Sequence, residues 1–184
     1  ANGAAGVGYE LGGYYGSAMN FDGTGDHFRT TSNLTDFQFG TGDFTVEAWI
    51  FKSAQGSDNY DGVISLGGQG SATDGWFIEA SNTRGYLWYA SGSGSHALQH
   101  DVSVNTSQWN HICVERHNSR TTMYLNGVAV DTTANTYSIP TNGTFLDIGG
   151  YGLDGLAGTG EYYFNGKIQD VRVYKGVAKY KGGF

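Results

Sequence analysis

An all-β sandwich, two antiparallel sheets in a jelly-roll arrangement, is the fold this sequence predicts, and three observations predict it. The chain has 31 glycines against one proline, a ratio that suits many strands joined by tight turns. Aromatic residues make up 15% of it and are spread among Val and Ile along its length, which low-complexity disorder would not show. Short apolar runs recur between Gly/Ser/Asn/Asp clusters, with no ten-residue helical periodicity and no convincing internal repeat.

Residues 1–16 stand apart as a Gly/Tyr-rich arm or linker, and residues 17–184 read as the β-sandwich domain. In the arm, Val7, Tyr9, Leu11, Tyr14 and Tyr15 are the sizeable apolar groups. They fit either a mobile leader or anchors against a neighbouring copy of the chain. Ala18–Phe21 then leads into the turn Asp22-Gly23-Thr24-Gly25, followed by 26–29, and 34–39 is compatible with one helical turn. Phe44–Phe51 alternates, with Phe44, Val46, Ala48 and Ile50 on one face and Trp49 and Phe51 on the other. Such a strand is covered on both sides, or its second face binds something.

Further strands are expected at 63–66, 75–80, 85–90, 97–102, 109–116, 121–126 and 145–148. Asn126-Gly127 is the strongest hairpin signal, a type I′ turn joining 123–125 to 128–130. The stretch 164–180 closes the chain as a strand dense in Val, Ile and Tyr, entered through an Asn165-Gly166 turn and left through a glycine. It needs flanking strands to be buried. About a dozen short strands result, the pattern of a sandwich or jelly roll.

Several function classes are excluded or disfavoured by the totals. A net charge of -7 argues against a nucleic-acid partner. No run approaches the length of a membrane span. Cys113 is alone and has no partner for a disulfide; within His111-Ile112-Cys113-Val114 it reads as a buried thiol acting as a small hydrophobe. The chain begins at Ala1 without a signal peptide, as a processed form or a piece of something longer does.

Five stretches in register resemble one family. They are 19–26 (Met-Asn-Phe-Asp-Gly-Thr-Gly-Asp), 39–50 (Phe-Gly-Thr-Gly-Asp-Phe-Thr-Val-Glu-Ala-Trp-Ile), 109–116 (Trp-Asn-His-Ile-Cys-Val-Glu-Arg), 123–127 (Met-Tyr-Leu-Asn-Gly) and the closing stretch. Together they are similar to the laminin-G-like (LamG) branch of the concanavalin A-like lectin/glucanase superfamily, over residues from about 17 to 180. Ile168-Gln169-Asp170-Val171-Arg172 followed by Lys175-Gly176-Val177-Ala178 resembles the variant common in phage and other surface-exposed structural proteins, many of which carry Asp where this chain has Gln169. The resemblance implies a twisted two-sheet sandwich whose first and last strands are adjacent. It also implies glycan binding, adhesion or assembly, as a module of a larger protein.

The glucanases of that superfamily need two carboxylates on one strand face in a Glu-x-Asp-x-x-Glu run. None is present: Glu47, Glu79, Glu115 and Glu161 each lack a carboxylate two residues away. His27, His96, His100, His111 and His117 form no metal-ligand spacing. Calcium is the candidate cofactor: Asp22 and Asp26 offer carboxylates on a glycine-permitted turn, and the family resemblance implies that Asp170 lies near it. The other reading of the turn is self-capping by these Asp side chains. Sugar binding needs aromatic faces, and Trp76, Trp88, Tyr89, Tyr151, Tyr162 and Tyr163 are candidate carbohydrate platforms, beside a glycine-rich loop at 149–160. Trp76 and Trp88 fit core and platform equally, whereas Trp49 and Trp109 read as core. Asn33, Asn105 and Asn142 head N-glycosylation sequons.

The function expected is therefore a non-catalytic structural module of an extracellular, cell-surface or virion-surface assembly such as a filament or fibre. Its arm would contact neighbouring copies of itself. The alternative is a lectin-type carbohydrate-binding and adhesion module, and the third reading is a glycoside hydrolase with carboxylates drawn from separate strands.

Overall fold

A computed structural model of the chain describes residues 8–13, 15–53, 60–67, 75–81, 85–90, 96–100, 104–139, 143–152 and 161–184. Among them, one sheet has the order β1 (Gly8–Gly13), β2 (Gly16–Asp22), β15 (Asn165–Lys175), β4 (Phe44–Lys52), β9 (Trp109–His117), β10 (Arg120–Leu125), β11 (Val128–Ala134). The second runs β3 (Phe28–Thr30), β12 (Leu146–Ile148), β5 (Gly62–Leu66), β6 (Trp76–Ser81), β7 (Gly85–Ala90), β8 (His96–His100). β13 (Gly150–Tyr151) and β14 (Tyr162–Tyr163) form a small ribbon, and Leu34–Phe37 is a single 3₁₀ turn. All pairings between these strands are antiparallel.

The core lies between the two large sheets, and strand alternation fills it. β4 contributes Phe44, Val46, Ala48 and Ile50, while β6 and β7 contribute Trp76, Ile78, Ala80, Tyr86, Trp88 and Ala90. Their large rings form a continuous file. Phe39 stacks on Phe44 at 4.3 Å and on Trp76 at 5.2 Å, and Trp88 lies 5.4 Å from Trp76 and 5.3 Å from Phe44. Trp76 Nε1–H donates to the Phe37 carbonyl at 2.9 Å, which satisfies the indole's polar end. Trp76 and Trp88 are 1% and 0% exposed, so both belong to the core. Neither has a face to offer a sugar.

The hairpin at Asn126-Gly127 has φ of 52° and 82°, the paired positive values a type I′ turn requires. Asn118 and Ser119, between β9 and β10, repeat this at 48° and 59°. β15 sits between β2 and β4, pairing Ile168 with Met19 on one side and with Ile50 on the other. First and last large strands are thus adjacent, as the resemblance implies. Asn165-Gly166 is not a turn, however: both residues are already in β15. Gly166 is required there by close approach, since a Cβ would meet the Phe51 carbonyl oxygen at 2.1 Å.

The glycine-rich N-terminal segment also differs from expectation. Residues 8–13 pair with β2 of their own chain, Tyr9 opposite Met19 and Leu11 opposite Ser17. They are an edge strand of the sandwich rather than an arm reaching outward, and Tyr15 follows them in the turn before β2. Val7 and Tyr14 lie outside the described residues. A last feature positions the site. Between Gln169 and Arg172 the register of β15 against β4 shifts by one residue, with Asp170 at φ 56°, a β-bulge in the middle of the sheet.

Candidate functional site: a cleft on the seven-stranded sheet

β4, β9 and β15 are adjacent, so their outward side chains form one surface. On β4 the outward set is Thr45, Glu47 and Trp49, and Trp49 stands opposite His111 of β9 and Gln169 of β15. On β15 the bulge turns Asp170 and Arg172 to this side together. A bidentate pair joins them, Arg172 Nε–H donating to Asp170 Oδ1 at 2.7 Å, with Nη2 2.6 Å from Oδ2. Beyond Lys175 the chain leaves the sheet at Gly176 and folds back across this face.

That return segment, 176–184, is clamped by two carboxylates. Glu47 Oε1 accepts from Lys179 Nζ at 2.6 Å, and Glu47 Oε2 accepts from the Tyr180 hydroxyl and lies 3.4 Å from His111 Nε2. Glu115 accepts the backbone N–H groups of Tyr180 at 2.5 Å and Gly182 at 3.2 Å. Phe184 stacks on Tyr180 at 3.8 Å and packs edge-on against His111 at 5.3 Å. Burial alone would raise the Glu47 carboxyl, but hydrogen bonds from His111, Lys179 and Tyr180 and the Lys179 charge outweigh it, and the group sits at about 2. The Tyr180 hydroxyl is pushed up to about 12 by burial and by its bond to Glu47.

Between the return segment, the bulge and the Asn126-Gly127 hairpin lies a cleft of about 430 Å³. Trp49 and Tyr15, in edge contact at 6.0 Å, form one aromatic side of it, with Tyr180 and Phe184 of the return segment forming another, and Tyr15 is 65% exposed. Asp170, Arg172, Lys179 and Asn126 supply polar groups. An aromatic pair beside a few fixed hydrogen-bonding groups can hold a ring whose faces are apolar and whose edge is hydroxylated. Glu47 and Glu115 lie on one face of neighbouring strands, and both are engaged by the return segment.

The remaining candidates fall elsewhere. Tyr89, Tyr151 and Tyr162 do come together, in an aromatic slab on the outer face of the six-stranded sheet. Phe77 stacks between Tyr151 at 4.1 Å and Tyr89 at 5.0 Å, and Tyr162 packs on Tyr151 at 4.7 Å. Tyr151 is 1% exposed and its hydroxyl donates to Glu79 Oε2 at 2.9 Å, so it is packing; Tyr89 and Tyr162 are half-buried. Tyr163 points away from them, its hydroxyl donating to Glu161 at 3.1 Å and its ring 6.1 Å from His27. Cys113 is fully buried, and burial, reinforced by Glu47 and Glu115, pushes its thiol up, in keeping with an inert small hydrophobe.

The three carboxylates expected to hold calcium do not converge. Asp22 pairs with Asn165 on β15, and Asp170 lies five residues further along, roughly 16 Å away at strand spacing. Asp22 Oδ1 accepts the Thr24 N–H at 2.7 Å and Asp26 Oδ2 accepts the Asp22 N–H at 3.2 Å, the capping arrangement such a turn makes for itself. No group of three or more His, Cys, Asp or Glu side chains fit to hold a metal occurs among the described residues. Of the sequons, Asn33 and Asn105 are exposed, and Asn142 lies outside the described residues.

Sequence reasoning missed most of the cleft. Trp49 reads as core by its place in a family-like strand, but its alternation with Val46, Ala48 and Ile50 puts it on the opposite face. Glu47, two residues before Trp49, carries the same signal. Lys179, Tyr180 and Phe184 carry none, because the return segment has no periodicity.

Comparison with known proteins fits this architecture. No curated protein matches the chain. Domain 4 of AbnA, a GH43 extracellular arabinanase from Geobacillus stearothermophilus, solved in complex with arabinotriose, is 17% identical, with a TM-score of 0.71 over 96% of this chain and 78% of that one. The CBM40 of Ruminococcus gnavus IT-sialidase bound to α2,3 sialyllactose is 17% identical, with a TM-score of 0.69 over 85% and 88%. Mouse laminin α1 chain domains LG4-5 are 11% identical, with a TM-score of 0.62 over 85% of this chain and 40% of that one. Such likenesses speak for fold alone. The family model Laminin_G_3 matches residues 22–179, and with that match the chain belongs to the concanavalin A-like lectin/glucanases superfamily.

Proposed function

We propose that this chain is a non-catalytic carbohydrate-binding module of an extracellular or surface-exposed protein, and that it holds its sugar in the cleft beside Trp49. The observation that carries the reading is the arrangement in that cleft: Tyr15 and Trp49 in edge contact, next to the Asp170–Arg172 pair and Asn126. Its volume of about 430 Å³ lies within the usual range for small-ligand sites. Arabinotriose and sialyllactose appear in the titles of two structurally similar modules, which supports a glycan as the ligand. Surface location follows the same relatives, and no described helix is long and apolar enough to cross a membrane. A role in self-assembly through the N-terminal segment has less support, because residues 8–13 are taken up by their own sheet.

The test is Trp49→Ala. Titration of the intact chain with a panel of oligosaccharides should give saturable binding that quenches or shifts Trp fluorescence. Trp49→Ala should weaken it at least about tenfold, the loss of one stacking platform. Unchanged affinity in that variant would move the site elsewhere on the molecule. Silence across the panel would remove the reading altogether.

A further inference from the structure

We infer that the cleft takes neutral, hydroxyl-rich sugars and rejects glycans bearing a carboxylate or sulfate, and that Asp170 is the residue that enforces the choice. This rests on the carbohydrate-binding reading above. It names the class of sugar from the balance of charge around the cleft.

The lining holds two lysine or arginine cations, Arg172 and Lys179, and two carboxylates, Glu47 and Asp170. Each cation is already engaged. Asp170 takes Arg172 in a bidentate pair at 2.6 and 2.7 Å, and Glu47 takes Lys179 at 2.6 Å. His111, the other titratable group facing the cleft beside Tyr180, lies 3.4 Å from the Glu47 carboxylate. Among the described residues lining the cleft, an incoming sugar anion therefore meets no guanidinium or ammonium that is not shared with a carboxylate. It would have to displace Asp170 from Arg172 or sit beside its negative charge, and the acidic surface as a whole adds to the repulsion.

A neutral sugar meets the opposite situation. A carboxylate has about four lone-pair positions, and Arg172 occupies one on each oxygen of Asp170. The remaining positions accept from sugar hydroxyls, which donate without carrying charge. Both partners are within reach of a ligand, with Arg172 and Asp170 side chains 47% and 28% exposed. The geometry is also held in place. Asp170 sits at φ 56° in the bulge, which projects its side chain on the same face as Arg172, two residues on. A regular strand would also put residues 170 and 172 on one face, but with Ile168 toward the core that face would be the inner one.

The experiment compares probes that differ in charge: lactose against 3′-sialyllactose, and galactotriose against trigalacturonate. Titration is done at about 0.15 M salt, where long-range repulsion is screened beyond roughly 8 Å. The expected result is that a neutral probe binds and its acidic counterpart binds at least tenfold more weakly. Asp170→Asn, which accepts a positive φ readily, should narrow that ratio by about fivefold or more by removing the bidentate carboxylate and leaving Arg172 only the more distant Glu47, 3.9 Å away. Asp170→Gly accepts the same backbone and serves as the second variant. Asp36→Asn changes the net charge equally, away from the cleft lining, and should leave the ratio alone.

Equal or tighter binding of the acidic probe to the intact chain overturns the inference while leaving the carbohydrate-binding reading standing. So does a ratio that Asp170→Asn and Asp170→Gly fail to move, or one that Asp36→Asn moves as much. If no saccharide of either kind binds, the carbohydrate reading falls, and the selectivity falls with it.

Discussion

Lys52 and Glu47 stand on the same strand, five residues apart, and each is the centre of a buried charged network. Lys52 points between the sheets, donating to the Asp61 carboxylate and to the Ala80 carbonyl at 2.8 Å; both Lys52 and Asp61 side chains are 0% exposed. Glu47 points the other way and collects Lys179, Tyr180, His111 and, at 3.9 Å, Arg172. The first network is closed and joins the two sheets. The second borders a cleft, and its partners come from the bulged strand, the neighbouring strand and the return segment. The parity of one residue on β4 decides between them. A charge turned inward staples the fold, whereas a charge turned outward builds a wall that a ligand can meet.

The comparison can be broken by removing each centre in turn. Lys52→Met leaves Asp61 as an uncompensated buried charge and should cost about 3–5 kcal/mol in urea unfolding, with sugar affinity of the folded fraction unchanged. Glu47→Gln should cost less, about 2–3 kcal/mol at neutral pH, since the carboxyl is held at about 2 against an ordinary 4.5. Because its pKa is lowered on folding, the stabilisation is present above about pH 4.5 and is lost as pH falls toward 2. The variant's unfolding free energy should therefore depend less on pH across that window than the parent's. Equal slopes would mean that Glu47 does not hold the return segment.

The outward side is sharpened by smaller changes. Trp49→Ala should lower stability by only about 1–2 kcal/mol, as a half-buried ring does, while removing sugar binding; a loss of stability without loss of binding would make Trp49 mere packing. Millimolar calcium, compared with chelator, should shift Tm by less than about 1 °C, because Asp22, Asp26 and Asp170 form no common site to be stabilised by occupancy. A clear upward shift would point to a calcium site that these three carboxylates do not explain.

How much of this was legible in the chain follows from the range over which each signal acts. Alternation in Phe44–Phe51 and the Asn126-Gly127 turn are local, and both appear in the structure as read. The pairing of the last strand with 18–21 is long-range, and the ordered family-like stretches supplied it. Trp76 and Trp88 were ambiguous because a buried and a stacking indole look alike in sequence; only their place in the ring file with Phe39 and Phe44 decides. Asp170 was misplaced because two strands running together say nothing of how far along their length two carboxylates stand. The return segment left no trace, since it has no periodicity: its backbone N–H groups meeting Glu115 are the same in every residue, and its side-chain contacts to Glu47 join residues more than 130 apart in sequence.

The bulge at Asp170 makes the length of β15 a quantity the protein must count. Upstream, Ile168 faces the core; downstream, Val171 and Val173 pack against it. An unbroken two-residue beat from Ile168 would instead send 170, 172 and 174 inward. Flattening the bulge with all its residues kept would turn the far half of the strand inside out, driving the Arg172 guanidinium among Val46 and its neighbours and lifting two valines into water, whereas deleting Asp170 would leave a regular strand with Val171 and Val173 still inward and Arg172 still outward. Loops elsewhere can gain or lose residues at little cost. Here the count decides what faces the cleft: losing the one extra residue would keep the valines inside but take the Asp170 carboxylate away from Arg172.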